Sequence, residues 1–125
     1  MNEQPIRALI ITRSIALGDG LNALLRTISQ IDEVGIARSM DEAFGQIESR
    51  MPRIVLIDAV LIESRPEELL KKVTTLSPRT QRVLLVDHVQ DVKWMPQYAE
   101  AVLIKGVSPS AVAVILTNLL FSKGV

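Results

Sequence analysis

Two kinds of apolar spacing alternate along the chain. Short, nearly unbroken aliphatic runs occur at Arg7–Thr12 (RALIIT), Glu33–Ala37 (EVGIA), Ile54–Asp58 (IVLID), Arg82–Val86 (RVLLV) and Ala101–Ile104 (AVLI). Runs this short without polar alternation predict strands covered on both faces, as in a parallel sheet. Between them, apolar residues recur every three or four positions. Leu17, Leu21, Leu24, Leu25 and Ile28 predict a first helix, its early turns weakened by Gly18 and Gly20. Ala43, Phe44, Ile47 and Met51 predict a second, opened by the capping-box spacing of Ser39 to Glu42 and stopped at Pro52. Leu69, Leu70, Val73 and Leu76 predict a third, begun at Ser64-Arg65-Pro66-Glu67-Glu68 and closed by Ser77-Pro78. A last helix starts at Ser108-Pro109 and runs to about Phe121, with Val112, Ile115, Leu116 and Leu119 turned inward. Residues 88–98 follow neither spacing, and Pro96 breaks any helix there.

Strand and helix therefore alternate about five times, which predicts a single domain over residues 1–125, a doubly wound α/β sandwich on a five-stranded parallel sheet. The short second run, EVGIA, belongs near a sheet edge. In such a sheet, ligands and chemistry gather at the carboxyl ends of the strands. Asp58 ends the most apolar run and is the first candidate for a functional residue.

Composition narrows the function classes. Lys plus Arg equals Asp plus Glu, 14 of each, so no overall field draws the chain to nucleic acid or anionic lipid. No cysteine means no thiolate metal site and no disulfide, and one histidine, His88, excludes a multi-histidine metal site. The first residues lack a signal-peptide core and no run is long enough to span a membrane, so a cytoplasmic domain is expected. The segment TRSIALGDG after the first strand lacks the glycine spacing of a phosphate cradle, which weighs against a nucleotide or flavin cofactor.

The order of IRALII, Gly20-Leu21, PRIVLID and LIKGVSPS resembles the receiver domain of bacterial two-component response regulators, over residues 6 to about 121. The resemblance implies a flavodoxin-like fold with strand order 2-1-3-4-5. It implies that Asp58 stands at the phosphoacceptor position, with Lys105 at the position of the lysine that completes the site. It also places Thr12 and Arg13 where an acidic pair holds Mg²⁺, Asp87 where a Thr or Ser bonds the phosphoryl group, and Val102 where an aromatic reports the switch state. The Met-Pro and Gly expected after the phosphoacceptor are missing between Ala59 and Pro66, and the stretch from Asp87 to Lys105 is short enough to imply a shortened fourth helix. Mg²⁺ is held by hard oxygen ligands, usually one or two carboxylates, and Thr12 and Arg13 supply none. The expectation is a degenerate receiver that is not an enzyme, takes no metal or cofactor, and acts without phosphorylation through protein contact.

Each candidate also has a plainer role. Asp58 can simply cap the loop after its strand, and Lys105 can form a structural ion pair with it. Arg13, whose guanidinium matches carboxylates, is placed either between Asp58 and Asp87 or out in solvent. His88 beside Asp87 suggests a dyad but reads as a surface histidine. In the last helix, Ala113, Val114, Thr117 and Phe121 form a second, almost uncharged face, which predicts a protein contact and a homodimer, or cover by a chain terminus. Two competing functions stay open beside the first: a receiver still phosphorylated on Asp58, and a small-molecule binder with its pocket at the strand ends.

Overall fold

The computed structural model describes residues 4–88 and 99–122. Five strands, β1 (Arg7–Ile11), β2 (Glu33–Ala37), β3 (Ile54–Asp58), β4 (Gln81–Val86) and β5 (Ala101–Ile104), form one parallel sheet in the order β2-β1-β3-β4-β5. The described helices are α1 (Ile15–Leu25), α2 (Met40–Arg50), α3 (Pro66–Leu76) and α4 (Pro109–Ser122), with a 3-10 turn at Ala59–Leu61. Each strand begins and ends within a residue or so of its expected place, and the order is the 2-1-3-4-5 that the sequence implied. The shortened helix expected between Asp87 and Lys105 falls on residues 89–98, outside the described residues.

Because successive strand residues point to opposite faces, the aliphatic runs feed two cores at once. Leu9, Ile11, Val55, Ile57, Leu84 and Val86 turn toward α2 and α3. Ala8, Ile10, Ile54, Leu56, Val83 and Leu85 turn toward α1 and α4. All five residues of β3 are buried, so the central strand tolerates no polar side chain except at its end. β2 lies at the edge, and its burial falls accordingly.

The helix boundaries follow local chemistry. Ser14 caps α1 by accepting the N–H of Leu17, and Ser39 caps α2 by accepting that of Glu42. Glu42 reaches back to the N–H of Arg38, completing a variant of the capping box. α2 ends on Met51 in the left-handed region at φ 48°, a site usually given to glycine, at a cost of roughly 1–2 kcal/mol. α4 buries Val112, Leu116 and Leu120, with Ile115 and Leu119 packed only partly. The inward face is thus turned slightly from the expected one, with Leu120 in place of Leu119 buried beside Val112 and Leu116.

Candidate functional site

A parallel sheet delivers the C-terminal ends of all its strands to one edge. Thr12 follows β1, Asp58 ends β3, Asp87 follows β4 and Lys105 follows β5. Asp58 is the centre, with its side chain only 6% exposed. Thr12 Oγ1 donates to its Oδ2 at 2.9 Å and Lys105 Nζ donates to its Oδ1 at 2.7 Å. The Val60 N–H also reaches Oδ1, at 3.4 Å, so Asp58 caps the following turn as well. The functional and the plain structural reading of this residue describe the same geometry.

Lys105 spans two carboxylates. Its Nζ lies 3.2 Å from Asp87 Oδ1, on a side chain that is otherwise exposed. Burial alone would lower the lysine pKa, but its bonds to Asp58 and Asp87 more than offset this and hold it raised. Its backbone N–H bonds Val86 O at 2.8 Å, and Gly106, at φ 94°, takes the left-handed turn toward α4 that a β-carbon would strain. Backbone and side chain therefore fix the ammonium over Asp58 together.

Arg13 does not enter the site. It is exposed and forms no hydrogen bond or ion pair among the described residues, so of the two expected placements the one in solvent is found and the one between Asp58 and Asp87 is not. β1 has ended at Ile11, and the turn into α1, fixed by the Ser14 N–H on Thr12 Oγ1 and the Ser14 cap, leaves Thr12 toward Asp58 and Arg13 in solvent. The pocket consequently holds two carboxylates against one ammonium. His88 is exposed and makes no bond to Asp87 among the described residues. Val102 is half-buried and packs against the core on the α2–α3 side.

The contribution of Thr12 was undervalued from sequence. Its hydroxyl donates to Asp58 and also accepts the N–H of Ser14 at 3.0 Å, tying the site to the α1 cap. The available signal was the T-R-S triplet, with a cap serine two residues past a strand end. This arrangement does not suit Mg²⁺, the ion that the resemblance implies. Both Asp58 oxygens are engaged, the Thr12 oxygen is committed on both sides, and Arg13 brings no carboxylate. Among the described residues, no three histidine or acidic side chains come together.

On α4, Val114 and Phe121 are 59% and 64% exposed, while Ala113 and Thr117 are half-buried. An apolar groove of about 480 Å³ runs beside it, lined by Leu17, Leu21 and Leu24 of α1, Leu103 of β5 and Val107 and Val112 at the start of α4. Among the described residues, no helix is long and apolar enough to cross a membrane.

No family model matches the sequence, and no curated protein matches it. Solved structures do match in shape. A CheY-like response regulator receiver domain from Methanospirillum hungatei JF-1 superposes with TM-score 0.81 at 23% identity, covering 95% of this chain and 96% of that one. The signal receiver domain of an HD domain-containing protein from Pseudomonas fluorescens Pf-5 gives 0.82 at 20% identity, covering 98% and 92%. The isolated REC domain of RcsB from Salmonella enterica serovar Typhimurium gives 0.81 at 14% identity, covering 95% and 91%. Strand order, helix placement and these superpositions agree: the chain has the fold of CheY-like receiver domains.

Proposed function

We propose that the chain is a receiver-fold signalling module of a two-component-type system that works by protein contact, its own dimerisation included, and not by phosphoryl transfer at Asp58. The observation that carries this reading is the occupancy of the Asp58 carboxylate. One oxygen takes the Thr12 hydroxyl at 2.9 Å and the other the Lys105 ammonium at 2.7 Å. Phosphoryl transfer to a carboxylate needs a free oxygen in line with the donor and a cation on the transferring group. Here Thr12 would have to release the bond it donates to Asp58 Oδ2, and the pocket's second carboxylate, Asp87, is already held by the Lys105 ammonium at 3.2 Å. Asp87 brings like charge toward an incoming phosphoryl group. On this reading the protein is not an enzyme, and it is placed in the cytoplasm with a protein partner, without direct contact to nucleic acid or membrane.

The test is incubation with a small phosphodonor and Mg²⁺, followed by intact-mass measurement. The expected result is an unchanged mass under conditions that fully modify an ordinary receiver. A gain of one phosphoryl group, abolished by Asp58→Asn, would establish the competing reading of a receiver still phosphorylated on Asp58.

A further inference from the structure

The opposite edge of the sheet, where the strands begin, collects arginines. Arg7 opens β1, Arg53 immediately precedes β3, Arg79 lies in the turn before β4, and Arg50 ends α2. All four line one groove of about 590 Å³, with Ser49, Ser77 and Gln4 among its other walls and no carboxylate. That volume is within the range of small-ligand sites. Strand order explains the convergence, because β1, β3 and β4 are adjacent and parallel.

Among the described residues, ion pairs do not cancel the charge on this groove. Glu33 is the carboxylate that pairs with it, 2.9 Å from Arg7 Nε and 3.6 Å from Arg50 Nη1. Its sequence neighbour Asp32 accepts the backbone N–H of Ile6 at 2.8 Å. Among the described residues, the Arg53 guanidinium bonds only the carbonyl of Leu120, at 3.3 Å, and Arg79 has no hydrogen bond or ion pair. Four guanidiniums thus meet one paired carboxylate, in a chain whose acids and bases balance overall. The negative ends of α2, α3 and α4 also lie here; arginines answer two of them, Arg7 Nη1 bonding the Arg50 carbonyl at 3.3 Å and Arg53 Nη2 the Leu120 carbonyl, while α3 ends at its cap residue Ser77 in the groove wall. Each guanidinium carries five N–H donors, so most remain available.

We infer that this groove binds a small anion bearing two or more phosphoryl groups. All four cations are arginine, none lysine, and the planar guanidinium fork matches phosphate oxygens bidentately. The site is separate from Asp58, at the far end of the sheet, so the result below does not depend on whether Asp58 is modified. Such a ligand occurs either as a bare polyphosphate or as the polyphosphate of a nucleotide.

The experiment is calorimetric titration of the full chain with inorganic tripolyphosphate, without Mg²⁺ and at constant ionic strength. Saturable binding is expected, weakened about tenfold or more by Arg79→Gln or Arg50→Gln. Arg79 has no partner among the described residues, so its variant should melt like the wild type. Arg38→Gln removes an exposed arginine at the opposite edge and should leave affinity unchanged. Tighter binding of ATP than of tripolyphosphate would identify a nucleotide, and equal or weaker binding the bare polyphosphate. Absence of saturable binding, equal loss in Arg38→Gln, indifference to both groove variants, or equal affinity for citrate would overturn the inference. So would a preference for duplex DNA that grows with duplex length.

Discussion

Thr12, Asp58 and Lys105 divide one task among three residues. Asp58 sits at the end of a strand with no other polar side chain, where an uncompensated carboxylate is costly. Thr12 and Lys105 satisfy one oxygen each, and Asp87 holds the lysine from outside. Lys105→Met should therefore destabilise by about 1–3 kcal/mol in urea denaturation, since it strands a buried charge. Adding Asp58→Asn should restore part of that loss; an additive double variant would show that the pair does not interact. Arg13→Ala, by contrast, should change stability by less than about 0.5 kcal/mol, because none of the described residues is bonded to its side chain. These residues were visible in the sequence as strand-end positions, which fix where a Cα lies. Which of Thr12 and Arg13 turns inward was not visible, because that depends on the last peptide of β1 and the cap at Ser14.

At the scale of elements, apolar spacing identified strands and helices because the central strands β1, β3 and β4 are buried on both faces and each helix on one. At the sheet's far edge it placed β5 at Ala101–Ile104, but that strand is short and only half covered, so apolar burial supplies less of its attachment. There the deciding interaction is polar. Glu100, just before β5, accepts the backbone N–H of Arg82 at 2.6 Å and pairs with its guanidinium at 2.8 and 3.1 Å. Arg82 also bonds the Leu70 carbonyl at 3.2 Å, so one arginine ties β5, β4 and α3 together. Burial raises the Glu100 pKa, but the bonds from Arg82 outweigh it and leave the carboxyl below its ordinary 4.5. A folded-state pKa below the unfolded value means stability present above pH 4.5 and lost as the pH falls through the lower, folded value. Glu100→Gln should cost about 1 kcal/mol at neutral pH, given the partial exposure of the pair. It should also flatten the acid limb of a stability–pH curve; a parallel acid limb in wild type and variant would remove Glu100 from that role.

For the whole molecule, the two edges of the sheet and the outer face of α4 have different characters. One edge holds a bonded carboxylate, the other an arginine groove, and α4 carries no charged residue from Pro109 to Ser122. A surface helix without charge is best explained by a second surface that covers it. If α4 pairs antiparallel with its copy about a two-fold axis near Thr117, Phe121 falls opposite Ala113 of the second molecule, with Val114 flanking that contact. The small Ala113 then leaves room for the Phe121 ring, and the start of each α4, with the apolar groove beside it, lies close to the end of the other. A two-fold contact of this kind needs only one self-complementary patch. The expected state is a dimer at tens of micromolar by light scattering, with or without a phosphodonor. Burying a Phe or Val side chain contributes roughly 1.5–3 kcal/mol, and each substitution removes two copies of the contact. Val114→Glu or Phe121→Glu should accordingly shift the population to monomer while leaving the fold intact by circular dichroism. A monomeric wild type, or a dimer that survives both substitutions, would leave the uncharged face of α4 to a different partner.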